Sequence, residues 1–328
     1  MNIEKNPSVV VIGSVNSTRK TIEKLLEHKI TISAILGLDP FVSKNVSGYV
    51  DLKQLAKNNG IPFQYFKKVN SEDSVGFLKD KKVDFLFVVG LSQMVLQPLL
   101  ELPKYICIGF HPTKLPKGRG RGAVAWIILG YVEGAATFFK MDSGMDTGDI
   151  WAQESFETKE DDYAQNVVDK IVNSIDKALD RVLPDLKNGN FITIPQIHNQ
   201  ASYLGKRSPE DGLINWEWQA EKIQKLIRAT SHPLPGSYTY KGLTPLRIYK
   251  ASISEIKNHI GIPGRIIISN EKDGIHVQTG SGLLKIEEFQ GVDKDKLKVG
   301  HNLGFQIEKE FFKVLHRLEI IDNNENIL

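Results

Sequence analysis

Two kinds of hydrophobic pattern divide the chain. In the first half, short β-branched or continuously apolar runs alternate with amphipathic stretches. Residues 9–13 form such a run and 18–28 carry helical spacing; 31–37 repeat the run and 50–58 the helix. Residues 83–90 are strongly apolar, and 97–102 turn into a further strand over 105–110. Runs without alternation suit strands covered on both faces. Strands and helices in this order predict a doubly wound, mostly parallel α/β sheet, whose ligands bind beyond the carboxyl ends of the strands. Residues 163–186 place Val167, Ile171, Ile175, Leu179 and Val182 at three- and four-residue steps, a long helix closing a first domain over 1–188.

The pattern then changes. Residues 189–207 are polar around Tyr203-Leu-Gly-Lys-Arg207 and read as an interdomain linker. From 208 to 328 a helix over 220–230 is followed by short strands over 236–240, 246–251, 264–268, 274–279 and 283–289. Strands spaced by about 8 to 12 residues predict a small, OB-like β-barrel domain. The tail from 300 is mixed, with a helix expected over 306–318.

A chain of 328 residues has room for these two cores. The 42 basic and 39 acidic side chains, a net charge of +3, are too balanced for an extended phosphate-binding surface, so no nucleic-acid partner is expected. Cys107 is the single cysteine, which excludes an intrachain disulfide and suits a structural thiol in a reducing cytoplasm. A polar N-terminus and the absence of about 18 consecutive apolar residues predict a soluble, cytoplasmic protein without a membrane partner. Gly13 lacks the further glycines of a dinucleotide fingerprint.

The densest group of unusual residues follows the strand over 105–110: His111, Pro112, Pro116 and the basic, glycine-rich run Lys117-Gly-Arg-Gly-Arg-Gly122. Further on, Met141-Asp-Ser-Gly-Met-Asp-Thr-Gly-Asp149 packs three carboxylates and two glycines into nine residues. Taken singly, His111 could be an ordinary hydrogen-bonded histidine and Asp-x-Gly a plain turn. Together they read as an acid/base pair, with Asp146 raising the His111 pKa toward working pH. Arg121 is placed to meet an anionic group. No His or Cys stands at metal-ligand spacing from His111, so no metal is expected.

These two segments, Phe110-His-Pro-Thr-Lys-Leu-Pro116 with Arg119-Gly-Arg121 and Met141-Asp-Ser-Gly-Met-Asp-Thr-Gly-Asp-Ile150, resemble the paired signature of the formyltransferase family. Asp211-Gly-Leu-Ile-Asn-Trp216 and Arg228-Ala-Thr-Ser-His-Pro-Leu-Pro-Gly-Ser237 resemble the opening of the C-terminal barrel in its two-domain members. The resemblance implies the formyltransferase fold, 10-formyltetrahydrofolate as co-substrate, His111 as acid/base and Asp146 as its partner. It implies folate contacts at Gln93, Met94, Val95, Arg121, Asp142, Ser143, Gly144 and Met145. The family's third catalytic residue, an Asn that stabilises the oxyanion, falls on Gly109, which leaves Gln93 and Thr113 as candidate replacements.

Three readings of the acceptor follow. The region 39–49, where tRNA-formylating relatives carry a basic insertion, holds Lys44 as its one base. Arg121, Lys206-Arg-Ser-Pro-Glu-Asp-Gly212 and His232-Pro-Leu-Pro resemble the sugar N-formyltransferases. The expected acceptor is therefore a nucleotide-linked amino sugar, with UDP the expected nucleotide and a 4-amino-deoxyhexose for a surface glycan the expected sugar. Methionyl-tRNA and a catalytically silent folate- or sugar-binding homologue are the alternatives. A homodimer through the C-terminal part stays open.

Overall fold

The structure, a computed structural model, describes residues 3–304, 311 and 314–320, and divides after Arg207 into two compact units. The first unit runs β1 (Ser8–Gly13), α1 (Asn16–Glu27), β2 (Thr31–Leu38), α2 (Lys53–Asn58), β3 (Phe63–Phe66), α3 (Glu72–Lys79) and β4 (Phe85–Val89). It continues with β5 (Ile106–Thr113), β6 (Arg119–Gly120), α4 (Ala123–Leu129), β7 (Gly134–Lys140), β8 (Ile150–Phe156), α5 (Ala164–Lys187) and β9 (Tyr203–Leu204).

Seven strands form one sheet in the order β3-β2-β1-β4-β5-β7-β8. The first five are parallel; β7 runs antiparallel to β5 and to β8, which forms the edge. Val9, Val10, Val11 and Ile12 on β1 and Phe85, Leu86 and Phe87 on β4 have no exposed surface, which accounts for their unbroken apolar runs. The strand order reverses at β1 and β4, so the loops that leave their carboxyl ends meet. Thr18 Oγ1 donates to the Val89 carbonyl at 2.6 Å and Ser14 Oγ to the Gly90 carbonyl at 3.3 Å.

The mostly parallel, doubly wound architecture is as the patterning predicts, with three differences that bear on function. The segments β3, α3, α4, β7 and β8 carry no reading in the hydrophobic pattern. Four- to eight-residue elements give too few repeats for a period to show, and β7 opens on Gly134 and two alanines. His111 does not follow a strand but lies within one. Pairing with β7 sets His111 opposite Thr137 and Thr113 opposite Gly134, and so extends β5 past the expected end at 110. Residues 189–207, expected as a linker, belong to the first unit: β9 pairs in parallel with β6, and the Arg119 N–H donates to the Ser202 carbonyl at 2.9 Å.

The second unit contains α6 (Ala220–Thr230), β10 (Ser237–Lys241), β11 (Thr244–Ile253), β12 (Ile266–Asn270), β13 (Gly274–Gln278) and β14 (Leu283–Gln290). The strands form an antiparallel sheet in the order β10-β11-β14-β13-β12 around a core that includes Trp216, Ile227, Ile248 and Leu284. Residues 300–304 run between the two sheet edges. Ile266 N donates to the His301 carbonyl at 2.9 Å, and Gly304 N to the Tyr240 carbonyl at 2.8 Å. Of the helix expected over 306–318, residues 306–310, 312 and 313 lie outside the described residues; 311 and 314–317 are helical. Among the described residues no helix is long and apolar enough to cross a membrane.

Candidate active site

His111 is 6% exposed and touches two polar partners. Its Nε2 stands 2.7 Å from the Gly118 carbonyl oxygen, and its Nδ1 stands 3.5 Å from Asp146 Oδ2. A carbonyl oxygen can only accept, so Nε2 carries the proton of the neutral ring and Nδ1 is the basic nitrogen. Asp146 is held in turn, because Oδ2 accepts the Gly120 N–H at 2.8 Å. The 118–120 segment therefore supplies a backbone contact to each member of the pair. Gly120, at φ 112°, meets the Leu204 carbonyl so closely that a Cβ would stand 2.6 Å from its oxygen. Only glycine serves there.

Burial dominates the electrostatics. Desolvation lowers the His111 pKa below the ordinary 6.5; the Asp146 carboxylate and the Gly118 hydrogen bond act in the opposite sense without overcoming it. Asp146 acts in the expected, raising sense, but burial outweighs it, so the ring's pKa lies below the ordinary value instead of nearer working pH. The ring rests neutral at pH 7, ready to accept a proton, and Asp146 stabilises the cation once the proton arrives.

The space beside Gly109 is taken. A Cβ built there would stand 2.7 Å from Phe139 Cζ and 3.0 Å from Met141 Cγ, so two apolar side chains occupy the ground where an Asn would begin. Neither candidate replacement is free. Gln93 Oε1 accepts the Val69 N–H and its Nε2 donates to the Lys67 carbonyl, both at 2.8 Å, which ties the loop after β4 to the loop after β3. The Thr113 hydroxyl donates to the carbonyls of Lys117 and Gly118.

The other expected contact residues lie on the loops around His111, in different conditions. Val95 is 5% exposed and packs in the core, which leaves its backbone alone for a ligand, whereas Met94 is 77% exposed. Arg121 is exposed and donates to the Ser92 carbonyl at 3.1 Å, bridging the loops after β4 and β6. Asp142 Oδ1 accepts from Gly144 N at 2.9 Å and from Thr147 Oγ1 at 2.5 Å, closing the 142–148 turn; Ser143, Gly144 and Met145 are exposed along it. Met94, Leu96 and Met145 are exposed apolar side chains on these loops. Among the described residues no group of three or more His, Cys, Asp or Glu is arranged to hold a metal. Cys107, on β5, is buried, and desolvation pushes its thiol up to about 12.

Reading the sequence missed two buried side chains beside the pair. Arg119 is 1% exposed and Gln196 is 5% exposed, and they hydrogen-bond one another. Arg119 stood inside the quoted motif, but nothing in the polar stretch around Gln196 marked it.

A mostly parallel sheet that reverses at β1 and β4, and a neutral histidine facing a carboxylate, define a candidate acid/base site on a doubly wound α/β domain. The chain matches the family model "Formyl transferase" over residues 9–183 and "Formyl transferase, C-terminal domain" over residues 206–304, and it belongs to the formyl transferase family, whose members are folate-dependent formyl-transferring enzymes. It is 31% identical over 290 residues to a methionyl-tRNA formyltransferase of Geobacter metallireducens, covering 86% of this chain and 90% of that one. Among solved structures it resembles an N-formyltransferase of Helicobacter canadensis in complex with folinic acid and dTDP-3-aminofucose. The TM-score is 0.61 at 18% identity, over 87% of this chain and all of that one. It also resembles HypX of Aquifex aeolicus in complex with tetrahydrofolic acid, with a TM-score of 0.62 at 17% identity. That match covers 87% of this chain and 44% of HypX, so the chain spans less than half of that protein.

His111→Ala and Asp146→Asn are each expected to lower kcat/KM for formyl transfer by about 100-fold or more, the scale of a lost acid/base group. A near-normal rate in either variant removes that residue from the role. In the wild type the acid limb of kcat/KM against pH should lie below the ordinary imidazole value, because burial lowers His111. Residual Asp146→Asn activity should show it lower still, since the opposing carboxylate is gone; a limb that moves upward contradicts this. The same sign applies to folding. The unfolded chain binds the His111 proton more readily, so stability is lost as pH falls through the ordinary imidazole range. Gly109→Asn should lose about 1–3 kcal/mol in denaturant unfolding, as overpacked cores do, and adding Met141→Ala should recover part of it. Unchanged stability in Gly109→Asn means that the space is open.

Proposed function

We propose that this chain transfers the formyl group of 10-formyltetrahydrofolate to the primary amine of a nucleotide-linked amino sugar. When bound, the folate supplies the formyl carbon and a nitrogen that leaves it. His111 takes the amine's proton at Nδ1 as the new C–N bond forms, and returns it to the departing nitrogen. Asp146 faces the imidazolium while the proton is there and, with Gly118, fixes the plane of the ring.

The observation that carries the sugar reading is the small cavity at the β1/β4 reversal. It holds about 100 Å³, and Ser14, Ser92, Lys67 and Gln93 line it among Leu38, Val42, Val46 and Leu91. Lys67 and the Ser92 hydroxyl offer donors there to a small anionic group such as a phosphate, the Ser14 hydroxyl being spent on the Gly90 carbonyl. The segment that supplies Val42 and Val46 also carries Phe41, 92% exposed, and Lys44 is its one base. Residues 208–328 carry 16 basic and 16 acidic side chains and so add no net positive charge. Gripping tRNA would take many distributed phosphate contacts.

A second reading has its own support. The identity to methionyl-tRNA formyltransferases over nearly the whole chain favours methionyl-tRNA as the acceptor.

Purified protein with 10-formyltetrahydrofolate should add one formyl mass to a member of a panel of UDP-, dTDP- and GDP-linked 3-amino and 4-amino sugars, and leave methionyl-tRNA unformylated. Acceptor affinity should fall only modestly between low and moderate salt. Formylation of methionyl-tRNA with a steep salt dependence overturns the sugar reading in favour of the second. No product with any acceptor overturns both.

A further inference from the structure

We propose that Gln196 is a positioning residue of the active site, one that holds Asp146 in the conformation in which its carboxylate faces His111. The inference rests on the catalytic reading of His111 and Asp146, and names what keeps them together.

Asp146 has a backbone φ of 54°, the left-handed region that a residue with a side chain adopts only where its surroundings impose it. Two contacts impose it. One is the Gly120 N–H on the carboxylate. The other is Gln196, whose side-chain Nε2 donates to the carbonyl of Asp146 at 2.9 Å and to that of Gly148 at 2.6 Å, fastening the peptide on both sides of the turn. The far end of the same side chain is anchored, because Gln196 Oε1 accepts from Arg119 Nε at 3.2 Å and Nη2 at 2.7 Å.

Arg119 is itself immobilised. Its Nη1 donates to Tyr203 OH at 3.0 Å and its Nη2 to His198 Nδ1 at 3.1 Å. Its neighbour Gly118, whose carbonyl holds the His111 ring, donates its N–H to Ser202 Oγ at 2.9 Å. Residues 196–204 thus brace both sides of the catalytic pair, the 118–120 segment by β-pairing and the 146–148 turn through one amide. A buried guanidinium that meets an amide oxygen, a phenol and an imidazole nitrogen depends on having all three in place. Asp146 is the charge that acts on His111, so loosening its turn weakens the influence that opposes burial.

The test is a histidine-labelled NMR titration of the full chain, with His111 among the eight histidines assigned by the resonance that His111→Ala removes. Gln196→Met keeps the buried volume and deletes both donors, and Gln196→Ala serves as the second variant. Either should lower the His111 pKa in the direction of, and by an amount comparable with, Asp146→Asn. Adding Gln196→Met to Asp146→Asn should move it no further, because both changes act through one carboxylate. In steady state the same variants should lose kcat on the order of 10- to 100-fold, the scale of a reacting group displaced by about 1 Å, with the acceptor KM nearly unchanged. A His111 titration that stays at the wild-type value in folded Gln196→Met, or shifts that add to those of Asp146→Asn, overturns the proposal. The titration needs neither folate nor acceptor, so its outcome is separate from success or failure of the acceptor panel.

Discussion

His111 works from inside a β-strand, and burying it there is the constraint from which the rest of the site follows. An imidazole nine-tenths removed from water must satisfy its N–H and tolerate a lowered pKa. The Gly118 carbonyl meets the first demand, and the Asp146 carboxylate limits the second. Neither partner is local to β5: one comes from the loop after it, the other from the turn between β7 and β8. Each must be carried to within a few ångströms by elements that have no other reason to meet.

The sheet does most of that carrying. Parallel strands covered on both faces bring the loops after β1, β3, β4 and β5 to one edge; the antiparallel β7 runs back along β5 from that edge, and the 142–148 turn after it reaches His111 and Gly120 through the Asp146 carboxylate. Hydrogen bonds then lock the loops pairwise: Gln93 to the 67–69 backbone, Arg121 to Ser92, and Gly120 to Asp146. Side chains that could have bound a ligand are partly consumed in holding this frame. That is why Gln93 and Thr113, polar and well placed in sequence, are poor substitutes for a donor at position 109.

Position 109 shows how packing and chemistry compete for one spot. Gly109 faces Phe139 on the neighbouring strand, and the ring together with Met141 fills the volume that a larger residue would need. The apolar contact adds dispersion and burial, and the site gives up a donor at that point. A formyl transferase built this way leans more heavily on the histidine and its carboxylate, and on whatever holds that carboxylate in place.

Much of the architecture was legible in the residues. Unbroken apolar runs marked β1, β2 and β4, the three- and four-residue steps marked α5, and the evenly spaced short strands marked the second unit, because burial on one or two faces leaves a period in the sequence. The pair His111 and Asp146 was also legible, since a basic glycine-rich loop after a strand and a turn dense in carboxylates are unusual in sequence. What the chain alone did not disclose is everything decided by contacts between distant segments. The extension of β5 through His111 depends on β7, the sense of the His111 shift on total burial, and the filling of position 109 on Phe139 and Met141. The docking of residues 189–207 onto the site depends on Arg119 and Gln196 meeting across 77 positions. Such contacts have no periodicity, and a polar glutamine in a polar stretch looks like any solvated residue until the fold closes over it.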